Sequence, residues 1–337
     1  MMENRTTLDD KIYSAIREKA EAWEVAELSD EGVRDKLSKA TTEAFDSIIP
    51  KARADRFEYY KSHMFEIALE EKAKEAAFLS DMDRGWGKCL ASSMVMYNLA
   101  YQSAKAYSDY IAEHEEGFPI SEKQFTFTSL QHICGRVCQE YLEIYYLLQN
   151  GFADGAFARW RSMYELCCCA QFILLFGEKI AEQYCKQSDD PEAKSYAWTK
   201  GAVSEKGEPV NADTFARLQN SIEANEIWKD HYKSACLVNH ASPQGTFRRL
   251  SISPEISQGK LVIHVGQSVY GIVGPAIESS LTLAYVCRMF LTVFPTAEFE
   301  TRAFVIDDWY YYLEKLYCET DKKLFPSKYN VNETDNE

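Results

Sequence analysis

Glycine and proline are scarce in this chain, at 15 and 9 of 337 residues. An all-β fold of that length needs many tight turns, and those turns draw on both residue types. The shortage therefore points to helices. An uncharged apolar run long enough to span a membrane is also missing. The stretch 163–176 is shorter than the roughly 20 residues a span requires, and it contains Glu165. The stretch 269–294 has the length but carries Glu278, Arg288 and the pair Gly274-Pro275. Charges within a span are costly, so both stretches read as core helices and no membrane partner is expected. The opening residues, MMENRTTLDDK, hold no apolar segment of a secretory signal. The expected location is cytoplasmic, and the N-x-T triplets at Asn4 and Asn332 then read as chance matches.

Positive charge is in deficit. The chain has 37 Lys and Arg against 52 Asp and Glu, a net charge of −15. Such a balance repels phosphates at long range, and no Lys/Arg run offsets it, so nucleic acid is not the expected partner. Signature loops are absent too. The sequence has no GxxxxGK[ST], no GxGxxG, no HExxH and no GxSxG, which leaves nothing to support a nucleotide-binding or zinc-hydrolase assignment. No cofactor and no metal are expected.

What the chain does have is 46% hydrophobic and 26% charged residues, an ordinary globular balance and enough length for a sizeable core. The fold class expected is all-α, a multi-helix bundle with one irregular loop or short hairpin near 242–266. The first 85 residues hold 20 acidic and 14 basic side chains. Apolar residues recur there at helical spacing, as in Ile12, Ile16, Ala20 and Trp23 and again in Phe57, Tyr60 and Met64. This pattern predicts solvated amphipathic helices buried along one stripe each, read as a helical extension, a dimerisation arm or a separate small domain; as a dimerisation arm they would hold a homodimer together. If so, deleting residues 1–85 would change the oligomeric state. From Gly85-Trp86-Gly87 onward the pattern becomes more apolar, predicting a main helical domain over 86–325 and a frayed tail over 326–337. Helices are predicted over 88–113, 125–148, 152–176 and 178–187, then over 191–202 and from an N-cap at Asp213 to Asn239. Two last helices are expected over 269–294 and 296–325. Asn150-Gly151 and Gly177 have the character of helix stops.

The ten cysteines read as free thiols of a reducing compartment, packing as small apolar residues. Cys167, Cys168 and Cys169 fan out about 100° apart on a helix and cannot meet at one metal. Cys134 and Cys138 share a helix face, yet no second pair at zinc-like spacing accompanies them.

The most informative segment is 151–165. On a helix, Arg161 and Glu165 lie one turn apart in a mostly apolar stripe with Cys168, Phe172 and Phe176. Charges in such a stripe must pair or line a cavity. One reading is a structural ion pair tying this helix to a neighbour. The other is an anion-binding Arg161 oriented by Glu165. A second candidate is His240, placed by the sequence at a helix C-terminus where protonation is favoured. It reads either as a cap or as a proton-transfer group. Arg56 and His63 match the Arg-to-His spacing of HEPN-type ribonucleases, a match that chance supplies in a chain with six histidines.

The runs GFADGAFARWRSMYELCCCAQFI, GEKIAEQYCKQ, YKSACLVNHASPQGTFRRL and GQSVYGIVGPAIESSLTLA together resemble the bacterial domain-of-unknown-function family 5677, over about residues 85–295. Its features fall here on Arg161, Glu165, His240 and Gly245, with Asn239 before the histidine as a departure. The resemblance implies a helical fold and a bacterial origin, and it brings no catalytic residues. The leading expectation for function is an intracellular helical binding or effector module of stress response or phage defence, with an unknown ligand or protein partner and a homo-oligomer as one form. The alternative is a metal-independent ribonuclease or phosphate-ester hydrolase, in which Arg161 steadies phosphate, His240 moves a proton and Glu165 orients the arginine.

Overall fold

The computed structural model describes residues 7–23, 29–224, 226–239, 243–247, 249–251 and 265–329. The chain forms two compact units, residues 1–76 and 77–337. Every regular element among the described residues is helical, as the composition predicts.

In the first unit α1 (Leu8–Glu21) pairs with α2 (Asp30–Ser62). Thr7 opens α1 with a reciprocal cap: its hydroxyl accepts from the Asp10 N–H at 3.1 Å, while Asp10 accepts from the Thr7 N–H at 2.7 Å. Ile12 of α1 and Ala40 and Ala44 of α2 are buried, and Lys19 pairs with Glu43 across the helices. The second predicted stripe does not bury. Phe57, Tyr60 and Met64 are exposed, together with Phe65 and Leu69, because the only side chains α2 buries are the small ones facing α1.

Helix α3 (Met64–Glu113) begins in the first unit and passes through Gly85 and Gly87 without a break, where the sequence suggested a new helix starting at Lys88. The two glycines cost about 1 kcal/mol each in a helix interior. Burying Trp86, which stacks near Tyr317 and Phe325, outweighs that cost.

Helix α4 (Ile120–Gln149) is interrupted once, at Lys123 (φ −135°, ψ 24°). The helix restarts on a cap lent by another element. Glu178 accepts from the Phe125 N–H at 2.6 Å, the Thr126 N–H at 3.0 Å and the Thr126 hydroxyl at 2.7 Å. Asn150 and Gly151 end α4 as expected. Gly151 has φ +73°, and a Cβ there would lie 2.4 Å from the Phe78 ring and 2.7 Å from the Ser268 backbone.

Helix α5 (Ala153–Phe176) is the central rod, buried on most of its circumference and packed by α4, by α6 (Glu178–Gln187), by α8 (Glu226–Asn239) and by α10 (Val273–Leu291). Helix α11 (Ala297–Leu324) lies on α10 and starts from a cap by Thr296, whose hydroxyl accepts from the Phe299 N–H.

The connection between α6 and α8 departs from expectation. Residues 191–202 form turns with a single 3₁₀ turn, Ala197–Thr199, instead of a helix. The side chain of Gln187 takes over the backbone groups there, accepting from the Trp198 N–H at 2.7 Å and donating to the Lys194 and Ser195 carbonyls. The predicted helix from Asp213 to Asn239 is two helices. Thr214, not Asp213, caps α7 (Phe215–Ser221), and Glu223 at φ +49° turns the chain before α8 begins. Helix α9 (Pro243–Phe247) is short. Most of the hairpin or loop expected at 242–266 lies outside the described residues. Residues 326–329 are fastened to α11, where Asp321 accepts from the Tyr329 hydroxyl at 2.6 Å and from Lys328 at 3.2 Å.

Candidate functional site

Along α5 the rings of Phe157, Trp160 and Tyr164 stack in sequence, with centroids 5.3 and 5.6 Å apart. Each ring's polar edge is satisfied by a neighbouring helix: Trp160 Nε1 donates to Thr282 of α10 at 2.9 Å, and Tyr164 Oη accepts from Gln219 of α7 at 3.0 Å. This ladder locks the rotation of α5 about its axis. It thereby fixes where Arg161 and Glu165 point.

Arg161 and Glu165 sit at the margin of the buried face, with side chains 27% and 29% exposed. Arg161 Nε donates to Glu165 Oε1 at 3.0 Å and to Tyr232 Oη at 3.3 Å, and the Tyr232 hydroxyl donates to the same Glu165 oxygen at 2.6 Å. The guanidinium also rests over the Tyr232 ring, 5.6 Å from its centroid. The triangle joins α5 to α8. Its hydrogen bond to Tyr232 raises the Arg161 pKa, so the guanidinium stays charged, while burial and then donation to Glu165 push the Tyr232 hydroxyl upward. Tyr232 carries no local signal in the sequence, because it lies 71 residues from Arg161 on a face defined once α8 docks. His240 lies outside the described residues. His63 caps its own helix through Nδ1 on the Tyr59 carbonyl at 2.8 Å, stacked on the Tyr59 ring.

A second charged group is more deeply placed. Glu140 of α4 is 1% exposed. Its Oε1 accepts from Arg136 at 2.9 Å and from Ser162 at 3.2 Å and lies 3.2 Å from Arg159 Nη2, whose Nε faces Glu143 at 2.6 Å. Burial pushes the Glu140 carboxyl above its usual range, opposed chiefly by Arg159 and then Arg136. The signal was present in the sequence, since Glu140 occupies the same apolar stripe as Ile133, Val137 and Ile144. At the start of α5, Asp154 accepts from the Leu250 N–H at 2.8 Å and the Ser251 N–H at 3.3 Å, pinning residues 250–251 to the helix N-terminus. His231 of α8 meets the buried Glu278 of α10 at 2.6 Å.

Next to the triangle, α5, the α7–α8 turn and α10 enclose an open groove of about 580 Å³. Its walls are Leu174, Leu175, Ile222, Leu281 and Met289, with the rings of Trp228 and Tyr285 in edge-to-face contact at 5.4 Å. Among the described residues polar groups come to it from Gln171, Glu223, the Trp228 indole and the tyrosines, and none of its lining residues is a histidine, cysteine, serine or lysine. Leu175 and Tyr285 are 55% and 46% exposed there.

The core of the bundle brings together a cysteine that the sequence left unconnected. Cys287 of α10 lies against Cys134 and Cys138 of α4, so that the three sulfurs fall within 4.8 Å of one another. Cys167, Cys168 and Cys169 are buried separately, as their helical fan predicts.

Among the described residues no helix is long and apolar enough to cross a membrane. No curated protein matches the chain, and no solved structure does. The Family of unknown function (DUF5677) matches residues 130–200, which hold most of α4, all of α5 and α6, and with them Glu140, Arg161 and Glu165; over that segment the chain resembles this family.

Proposed function

We propose that the chain is a helical binding module whose ligand lies in the groove of α5, α8 and α10. The ligand class is a molecule of metabolite size with an apolar body and a cationic or donor end. The observation that carries this reading is the groove's composition: apolar and aromatic walls, a volume within the ~300–1,000 Å³ of small-molecule sites, and no histidine, cysteine, serine or lysine among the described residues that line it. Glu223 at its rim and the net charge of −15 favour a cation. An effector role in bacterial stress response or phage defence belongs to the same reading.

Two probes of equal shape and opposite charge test it. Tetraphenylphosphonium should bind saturably and change the Trp228 fluorescence, while tetraphenylborate should bind at least tenfold more weakly. Leu175→Arg, at an exposed position, should abolish binding without unfolding the protein. Absence of saturable binding by either probe, or equal binding by Leu175→Arg, refutes the proposal.

The alternative is a hydrolase using Arg161, Glu165 and His240. Weighing against it, Glu165 and Tyr232 already compensate the Arg161 charge, so an incoming phosphate must compete with a formed ion pair. RNA cleavage that vanishes in His240→Ala would restore that alternative.

A further inference from the structure

The Cys134, Cys138 and Cys287 cluster is more than core packing in its geometry. Cys134 and Cys138 stand one turn apart on α4, and Cys287 approaches from α10 until its sulfur is 3.8 Å from that of Cys134. All three sulfurs fall within 4.8 Å of one another. A planar three-sulfur site with metal–sulfur bonds of about 2.3 Å has sulfur–sulfur edges of about 4.0 Å. The cluster is therefore near its ligating dimensions before any ion arrives.

We infer that these three cysteines form a buried binding site for a soft monovalent metal ion of the copper(I) class. The donor set selects it. Three sulfurs without an oxygen or nitrogen ligand disfavour magnesium, calcium and manganese, which prefer oxygen. Structural zinc is four-coordinate, and among the described residues no further Cys, His, Asp or Glu ligand atom joins this group. The sulfurs sit in the hydrophobic core at 0–4% exposure, so a trigonal ion that needs no fourth ligand fits the enclosure.

Binding displaces the thiol protons: Cu⁺ plus three thiols gives a tris-thiolate complex of charge −2 plus three H⁺, so retention of the ion should strengthen as pH rises. Bound metal would join α4 to α10 at the heart of the bundle and raise its thermal stability.

The test uses the full chain, reduced and handled without oxygen, incubated with copper(I) held by bicinchoninate. The expected result is one copper per chain retained against excess chelator, with three sulfur neighbours at about 2.3 Å by X-ray absorption and a higher unfolding midpoint. Cys287→Ala should lower retention at least tenfold, whereas Cys185→Ala, which removes a half-exposed thiol elsewhere, should leave it unchanged. If Cys287→Ala does not fold, the sulfur count on the wild type decides alone. Retention of no copper, a two-sulfur site, or equal retention by Cys287→Ala overturns the inference.

Discussion

Replacing Arg159 by Met should destabilise the second unit far more than a partly exposed side chain normally does. Glu140 is sealed at 1% exposure and relies on Arg136, Arg159 and Ser162. Arg159 gives the largest opposition to the burial that disfavours its charge. Removing one partner of a buried ion pair costs roughly 3–5 kcal/mol. Arg136 and Ser162 still serve Glu140 in the variant, so about 2 kcal/mol is expected, a fall of about 4–8 °C in midpoint for a unit of this size. The deficit should shrink as pH falls, because a protonated Glu140 needs no counter-charge. Near-ultraviolet circular dichroism during heating isolates the unit, since five of the six tryptophans lie in it. Adding Glu140→Leu to Arg159→Met should recover most of the loss, as the buried charge is then gone. A neutral single variant, or a double variant no more stable than the single, refutes the reasoning.

Gly151→Ala should cost about 2–4 kcal/mol, combining left-handed backbone strain with a clash against Phe78 and the Ser268 backbone. Gly177→Ala meets no clash, but at φ +80°, ψ −167° it enters a region essentially closed to a Cβ and should cost about 1–3 kcal/mol from backbone strain alone; a smaller loss for Gly151→Ala than for Gly177→Ala in urea titrations would contradict the added clash. Burial raises the Glu278 carboxyl above its ordinary 4.5. The native state then holds that proton more tightly, so stability gains as pH falls from the folded pKa toward 4.5. Glu278→Gln should remove that gain from a plot of urea midpoint against pH, and an unchanged slope would exclude it. The exposed row Phe57, Tyr60, Met64, Phe65 and Leu69 predicts self-association. Phe65→Glu with Leu69→Glu should reduce the mass measured by light scattering to that of one chain, and a monomeric wild type would end that reading.

The helices of the second unit were legible because their signals are local. Periodic apolar residues, and Gly151 and Gly177 as stops, all act within a few residues of themselves. The misreadings arose where a distant group replaced a local one. Gln187 satisfies backbone that would otherwise have formed a helix after Pro191, Glu178 restarts α4 from another element, and Trp86 carries α3 through two glycines. The site follows the same division. Arg161 and Glu165 stood out by their place in an apolar stripe, and Glu140 carried that signal unnoticed. Tyr232, Cys287 and the groove come from pairings between helices that no spacing along the chain encodes.

The binding reading is tested most directly by ¹³C-methyl NMR of the methionines during addition of tetraphenylphosphonium. Met289 lines the groove, while Met82, Met96 and Met163 are sealed in the core. Saturable movement of the Met289 signal, with those three still, is the result the account predicts. A Met289 signal that stays fixed at saturating probe would contradict it.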